Sequence, residues 1–300
     1  MKKLSIWISA CRLRTLPLSI SGAIVGSGIA YYRGFFDSSV FVLTLVTTLS
    51  LQILSNLAND YGDGVKGTDN EHRIGPERAL QSGKISPKQM LTAIIYNAIF
   101  CFVLVISLIY VAFGAAQFIT SLVFVVLGVL AIVAAIKYTV GDSAYGYKAL
   151  GDIMVFLFFG WLSVLGTYFL YAKQLDFLML LPASSIGLLS AGVLNLNNMR
   201  DLESDKLSNK KTLAGYFGFK KSKTYQQLLV ILALVLMAIY SFLNSDNTMY
   251  LLLIAFVPFC IHLNSIRKIN NPKDYDPQLK VLALSTFLLA IIFSICHSVV

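Results

Sequence analysis

The stretch SVFVLTLVTTLSLQILSNLANDYGDGVKGTD, residues 39–69, joins a long apolar segment directly to a cluster of acids and amides. As a helix, residues 39–58 are long enough to cross the hydrocarbon core of a bilayer, which takes about 20 residues. The polar cluster follows at the point where such a helix would leave the membrane. The pattern therefore predicts a transmembrane helix that ends in a group of carboxylate and amide side chains.

The same apolar character runs through the whole chain. Of its 300 residues, 57% are hydrophobic and only 13% are charged, about half the charged fraction of a typical soluble domain. The apolar blocks are continuous and do not alternate with polar residues as the strands of a membrane barrel would. We therefore predict an all-α polytopic membrane protein, one domain over residues 1–300. The nine predicted spans are 16–32, 39–58, 90–112, 117–137, 150–171, 177–197, 226–244, 248–266 and 279–298.

The net charge of +9 raises the question of nucleic-acid binding, which the placement of the charge argues against. If the N-terminus is cytoplasmic, 22 of the 24 Lys and Arg residues fall on the cytoplasmic side, and only Arg33 and Lys173 fall on the other. Such a bias predicts an N-in, C-out topology. The basic residues are then a topology signal and a contact with lipid headgroups, and no nucleic-acid partner is expected.

Two acidic motifs follow predicted spans on the same side of the membrane. The first, NLANDYGDGVKGTD at 56–69, places Asn56, Asn59, Asp60 and Asp63 three or four residues apart, on one face if the helix continues. Its glycines are expected to end the helix. The second, NNMRDLESD at 197–205, contains carboxylates one turn apart. Carboxylates at this spacing repel one another, and a divalent cation such as Mg²⁺, which prefers oxygen ligands and substrate phosphates, removes the conflict.

Basic residues accompany both motifs and suggest an anion bound beside the metal. Arg is the favoured bidentate phosphate ligand, while Lys acts as a point charge. The alternative reading is a solvated acidic loop whose basic residues only set the topology. The predicted diphosphate ligands are Arg73, Arg78, Lys84, Lys148, Arg200 and Lys210.

The motifs resemble those of the UbiA superfamily of intramembrane aromatic prenyltransferases. The resemblance rests on NDYGDGVKGTD, the RIGP that follows at 73–76, and NNMRDLESD. Three further segments agree, namely RLRTLP at 12–17, KYTVG at 137–141 and YGYKALGD at 145–152. It extends from the first span to about Leu213, beyond which only the hydropathy matches.

This resemblance implies nine helices around a central cavity and Mg²⁺ that binds a polyprenyl diphosphate. The allylic C–O bond would ionise, and an electron-rich ring would attack the cation. The implied metal ligands are Asn59, Asp60, Asp63, Asp69, Asp201 and Asp205. The segments are nearest to the naphthoate branch, whose acceptor, 1,4-dihydroxy-2-naphthoate, loses its carboxylate in menaquinone synthesis. Acceptors of other branches, 4-hydroxybenzoate and homogentisate, remain open. The implied location is the bacterial cytoplasmic membrane, with the active site facing the cytoplasm.

Asp152 is the acid most expected inside the membrane, where a carboxylate usually has a function. It is predicted to orient or deprotonate the aromatic substrate, or to pair with Lys148 or Arg14; a capping acid at a helix start is the alternative. The residues predicted to contact the prenyl or aromatic substrate are Arg14, Asn56, Tyr138, Tyr145, Tyr147 and Asn198. A competing class is an ion-coupled transporter, but its acids would be expected near the bilayer midplane on broken helices.

Overall fold

The computed structural model describes residues 2–69, 74–244 and 249–296, and most of these residues are helical. In chain order they are α1 (Lys2–Ala10), α2 (Leu16–Tyr32), α3 (Ser38–Val65), α4 (Pro87–Phe113), α5 (Phe118–Lys137), α6 (Gly151–Ala172), α7 (Leu180–Arg200), α8 (Leu202–Leu207), α9 (Leu213–Leu243), α10 (Met249–Lys268) and α11 (Tyr275–Cys296). Within these described ranges, nine segments are long and apolar enough to cross a membrane, the first of which combines α1 and α2. The prediction of an all-α protein with nine spans is confirmed, while the N-in, C-out topology stays a prediction.

Side chains at the helix starts explain several of these boundaries. Asp37 caps α3, where its carboxylate accepts hydrogen bonds from the backbone N–H groups of Ser39 (2.7 Å) and Val40 (3.0 Å). At α4, Ser86 and Gln89 form a reciprocal capping box. These side chains satisfy backbone donors that have no partner within the helix.

Two helices extend further than the apolar pattern alone predicted. α3 continues through the first acidic motif to Val65, beyond the predicted end at residue 58. α9 starts at Leu213, well before the predicted start at residue 226, and bends at Gly218, whose φ is +69°. Hydropathy marks only the part of a helix that lies in lipid, so polar turns beyond the membrane escape it.

The helices pack closely through small residues. α7 packs against α6, α9 and α11, and α2 packs against α6 and α11. A Cβ atom at Gly22 of α2 would collide with Ser163 of α6, and one at Gly160 of α6 would collide with the backbone of α7. Small side chains at such crossings let membrane helices approach and gain van der Waals contact.

One large cavity lies between the helices and positions the site. Its volume is about 420 Å³, and its walls come from α2 to α8 and α11, while α9 and α10 supply no lining residue among those described. The middle of α6, Phe156–Gly166, is π-helical and contributes Phe158, Phe159 and Ser163 to the wall. π-Helical segments are rare and are often found at functional sites.

Candidate active site

The cavity is polar at one end and apolar along its length. Its polar end collects both acidic motifs, together with Lys210 and Arg78. The apolar walls are formed by α4, α5 and α6, and their lining residues include Val105, Leu108, Ile109, Phe124, Leu127, Ala131, Phe158, Phe159 and Leu162. A ligand with a charged head and a long apolar tail matches this distribution.

The first motif divides between the cavity and the protein interior. Asn59 and Asp63, one helical turn apart, line the cavity. Asn56 and Asp60 are buried, at 2% and 1% exposure, and do not line it. Asn56 instead donates hydrogen bonds to the Cys11 carbonyl (2.9 Å) and to Thr15 (3.1 Å). Its predicted contact with the prenyl or aromatic substrate is not supported by this position, which ties α3 to the start of α2.

Asp60 is buried with an unsatisfied oxygen. Its Oδ1 atom has no hydrogen-bond partner among the described residues, which is costly for a carboxylate away from water. A nearby cation would relieve that cost. The glycines of this motif do not all end the helix as expected. Gly62 lies inside α3, where it packs against Thr139. Gly67, with φ +72°, follows the end of the helix.

The second motif presents the same pattern to the cavity. Asn197, Asp201 and Asp205 line it, whereas Asn198 is buried and does not. The predicted substrate contact at Asn198 is therefore not supported, and Asn197 is a lining residue that the sequence reasoning missed. The signal was present as an Asn-x-x-x-Asp spacing that both motifs share, Asn59 with Asp63 and Asn197 with Asp201.

Lys210 links the two motifs. Its Nζ atom lies 3.6 Å from Asp63 Oδ2 and 3.9 Å from Asp205 Oδ1. Burial alone would lower the pKa of Lys210, but the carboxylates of Asp63 and Asp205 outweigh burial and raise it. The lysine is therefore charged at neutral pH. Two acids that are far apart in the sequence thus share one cation at the cavity mouth.

Tyrosines surround this group as predicted, in two different positions. Tyr147 lies behind Asp63, donating a hydrogen bond to its Oδ1 atom (2.7 Å), and burial and the Asp63 carboxylate raise the pKa of Tyr147. Tyr138 and Tyr145 line the cavity and contact each other edge to face at 5.3 Å. Burial raises the pKa of Tyr145 to about 12, so both rings border the site as neutral aromatic groups.

The predicted diphosphate ligands separate into residues at the cavity and residues away from it. Lys210 and Arg78 line the cavity. Lys84 forms an exposed pair with Glu77 (2.7 Å), and Lys148 is exposed and does not line the cavity. Their predicted phosphate contacts are not supported by these positions. Arg73 lies outside the described residues.

Arg200 is buried, at 1% exposure, and is absent from the cavity wall. Its Nε and Nη2 atoms donate to the two carboxylate oxygens of Asp201 at 2.9 and 2.6 Å. Nη2 also donates to Asn197 (2.8 Å), and Nη1 donates to Asp276 (2.5 Å). With these nitrogens directed at protein acceptors, the predicted diphosphate contact at Arg200 is not supported.

Asp152 and Arg14 do not pair with each other. Asp152 lies in the first turn of α6, 4% exposed, and its Oδ1 atom accepts a hydrogen bond from Tyr225 (3.5 Å). It does not line the cavity, and its position agrees with the alternative of an acid at a helix start. Arg14 does line the cavity and lies 3.8 Å from Asp276.

Arg12, Gln52 and Lys280 also line the cavity and were not predicted to do so. Arg12 has a left-handed backbone, with φ 51° and ψ 58°, which is uncommon for a residue other than glycine. Arg12 lies in the short segment between α1 and α2. The RLRTLP segment marked this region in the sequence but gave Arg12 no role of its own.

The oxygen donors at the cavity suit a metal ion that takes its remaining ligands from the substrate. Within the described part of the chain, no three His, Cys, Asp or Glu side chains come close enough to form a metal site by themselves. Oxygen donors instead face one cavity from two motifs, with Asp63 and Asp205 sharing a lysine and Asp60 carrying an unsatisfied oxygen. Mg²⁺ commonly binds through one or two carboxylates plus substrate phosphates, so these residues fit Mg²⁺ with a diphosphate.

A nine-span bundle with paired acidic motifs at the mouth of an apolar cavity defines a class of intramembrane protein. The chain belongs to the UbiA prenyltransferase family, whose pattern matches residues 19–295. It is therefore an integral membrane protein of that family.

Two bacterial relatives cover nearly the whole chain. The 1,4-dihydroxy-2-naphthoate octaprenyltransferase of Escherichia coli K12 is 38% identical over 96% of this chain and 93% of its own length. The protein of the same name from Haemophilus influenzae is 39% identical over 98% of this chain and 96% of its own length.

Solved structures show the same fold at low sequence identity. A UbiA homologue from Archaeoglobus fulgidus bound to GPP and Mg²⁺ superposes with a TM-score of 0.71 at 14% identity, covering 98% of this chain and 99% of that one. The apo structure of a UbiA homologue from Aeropyrum pernix gives a TM-score of 0.65 at 14% identity, with 95% and 97% coverage.

Proposed function

We propose that this protein transfers a polyprenyl group from a polyprenyl diphosphate to 1,4-dihydroxy-2-naphthoate with loss of the carboxylate, which gives demethylmenaquinone. The observation that carries the proposal is the shared lysine, which brings Asp63 of one motif and Asp205 of the other to a single cavity mouth. The names of the relatives that match most of the chain supply the acceptor.

The proposed metal ligands are the acids and amides that line the cavity mouth: Asn59, Asp63, Asp69, Asn197, Asp201 and Asp205. Asp60, buried beside them in the same motif, remains a predicted member of the set. When bound, Mg²⁺ would neutralise charge on the diphosphate leaving group. The Archaeoglobus homologue, whose structure contains GPP and Mg²⁺, supports this choice of cofactor.

The remaining steps depend on side chains of the chain itself. Lys210 and Arg78 would place positive charge beside the departing diphosphate. The faces of Tyr138 and Tyr145 would stabilise an allylic cation, by up to about 2 kcal/mol each in a dry site. The apolar walls of α4, α5 and α6 would hold the polyprenyl tail and exclude water, which would otherwise quench the cation.

We place the protein in the bacterial cytoplasmic membrane with this cavity mouth on the cytoplasmic side. The basis is the distribution of Lys and Arg along the chain. Cysteine labelling at exposed positions of the 74–86 loop, in intact cells and in inverted vesicles, tests this orientation. If a reagent that cannot cross the cytoplasmic membrane labelled these positions in intact cells but not in inverted vesicles, the orientation would be contradicted.

The function is tested with purified protein in nanodiscs, supplied with labelled polyprenyl diphosphate and Mg²⁺. Dihydroxynaphthoate, 4-hydroxybenzoate and homogentisate are offered separately, and products are identified by mass spectrometry. We expect a decarboxylated, prenylated product from dihydroxynaphthoate. Product from 4-hydroxybenzoate alone would contradict the acceptor. Ion or metabolite movement in vesicles without any prenylated product would favour the transporter alternative.

A further inference from the structure

A charged network runs behind the second acidic motif and links three helices. Arg200 at the end of α7 contacts Asp201 through two hydrogen bonds and contacts Asp276, in the first turn of α11, through a third. The other oxygen of Asp276 lies 3.8 Å from Arg14, just before α2. The network therefore joins α7, α11 and the turn before α2, and two of its members, Asp201 and Arg14, line the cavity.

Arg200 is the buried centre of this network. A guanidinium at 1% exposure requires carboxylate partners, because an uncompensated charge away from water is strongly destabilising. Asp201 faces the guanidinium with both oxygens, and Asp276 accepts from the nitrogen on the other side. The guanidinium is planar and rigid, so fixing its far side at Asp276 also fixes the carboxylate at its near side.

Asp201 contacts Arg200 and also lines the cavity. An ionised carboxylate offers about four lone-pair sites, and Arg200 uses one on each oxygen. Asp201 also lines the cavity, where a metal held by the second motif would bind. The orientation of this carboxylate thus depends on Arg200, and that of Arg200 depends on Asp276.

We propose that Asp276 is a positioning residue for the second acidic motif, acting through Arg200 to hold Asp201 toward the bound metal and diphosphate. The role rests on the proposed function, since it assumes a Mg²⁺–diphosphate ligand. It also gives the last third of the chain a part in the site. Groups one layer behind a metal ligand commonly change metal affinity by about 10- to 100-fold when they are altered. Asp276 is 37% exposed, so screening favours the lower end, about tenfold.

The test compares Asp276→Asn with Asp274→Asn in the full-length protein. Asp274 is an exposed carboxylate two residues earlier, so it controls for loss of one negative charge in this segment. Binding is measured as the thermal stabilisation produced by geranyl S-thiolodiphosphate, an unreactive diphosphate, over a Mg²⁺ titration. We expect Asp276→Asn to need about tenfold more Mg²⁺ for half of the effect, and Asp274→Asn to behave as wild type.

A charge-preserving variant separates positioning from a general loss of packing. Asp276→Glu keeps the carboxylate and should need less Mg²⁺ than Asp276→Asn. Equal Mg²⁺ requirements for wild type and Asp276→Asn, or for Asp276→Asn and Asp276→Glu, would overturn the proposal. If Asp276→Asn does not fold, Asp276→Glu is compared with Asp274→Glu: a higher Mg²⁺ requirement in Asp276→Glu alone supports the role, and equal Mg²⁺ requirements overturn it. Failure of the wild type to respond to Mg²⁺ with the thiolodiphosphate would instead overturn the proposed function.

Discussion

Replacement of Lys210 by methionine separates two effects of its ammonium group, one on the binding of Mg²⁺ and one on the binding of the diphosphate. The ammonium lies within 4 Å of Asp63 and Asp205, so without diphosphate it competes with Mg²⁺ for the same carboxylates. With diphosphate, its charge stabilises the phosphate oxygens. Lys210→Met should therefore strengthen the binding of Mg²⁺ alone and weaken that of the diphosphate, two effects of opposite sign.

The magnitudes follow from the distances. Two unit charges about 4 Å apart interact by about 4 kcal/mol at an effective dielectric constant of about 20, before desolvation is counted. If desolvation leaves a third of this interaction, about 1.4 kcal/mol remains, which corresponds to a factor of ten in affinity. Lys210→Met should therefore bind Mg²⁺ about tenfold more tightly. A lost hydrogen bond to a charged group costs about 1.5–3 kcal/mol, so kcat/KM for the diphosphate should fall about 10- to 100-fold.

Isothermal titration with Mg²⁺ and initial rates over a range of polyprenyl diphosphate concentrations measure the two effects. Lys211→Met is the matched control, because Lys211 is the exposed neighbour of Lys210. Weaker binding of Mg²⁺ alone by Lys210→Met, or an unchanged kcat/KM, would refute the idea that this lysine bridges the motifs and serves the diphosphate.

Three further predictions address the acids, the cavity and the opposite face of the protein. Asp63→Asn and Asp205→Asn should each lower kcat about 100-fold or more in a prenyl-transfer assay, and excess chelator should abolish turnover; the exposed Glu203→Gln controls for charge, and full turnover in chelator would exclude the metal. Gly166→Phe should raise KM for long-chain diphosphates more than for geranyl diphosphate, because Gly166 lines the cavity roughly 20 Å along α6 from its start; Gly166→Ala, whose Cβ has room, is the control, and equal changes for both chain lengths would contradict this. The hydrogen bond from Arg33 lowers the pKa of Asp176, so its stabilising effect is present at neutral pH and is lost as the pH falls through that lowered pKa; thermal inactivation should become faster at acid pH in wild type, and Asp176→Asn should show less of this acid effect.

The architecture could be predicted well from the sequence, because a helix that lies in lipid must be composed mainly of apolar residues. Nine apolar segments are required for nine spans, and each was visible. The ends of α3 and α9 were less accessible, since a helix that continues into water needs no apolar residues. Within the polar extension of α3 through Asp60 and Asp63, Gly62 packs against Thr139, a tertiary contact that the apolar pattern does not reveal.

The candidate site was predictable in its motifs but not in the direction of each side chain. Spacing placed Asn59 and Asp63 together, and the structure places them at the cavity. Spacing alone could not show that Asn198 faces the interior while Asn197 faces the cavity. Arg200 was predicted from its charge to bind phosphate, yet it pairs with its sequence neighbour Asp201 and with Asp276, which lies close because α7 and α11 pack together. Pairing between distant segments is the information that a single sequence lacks.

The central claim is that both acidic motifs hold one metal–diphosphate site. Mn²⁺ is used in place of Mg²⁺, and electron paramagnetic resonance measures how much Mn²⁺ the protein binds in the presence of geranyl S-thiolodiphosphate. We expect tight Mn²⁺ binding in the wild type and its loss in Asp63→Asn and in Asp205→Asn alike. Undiminished Mn²⁺ binding in either variant would show that one motif suffices and would contradict the claim.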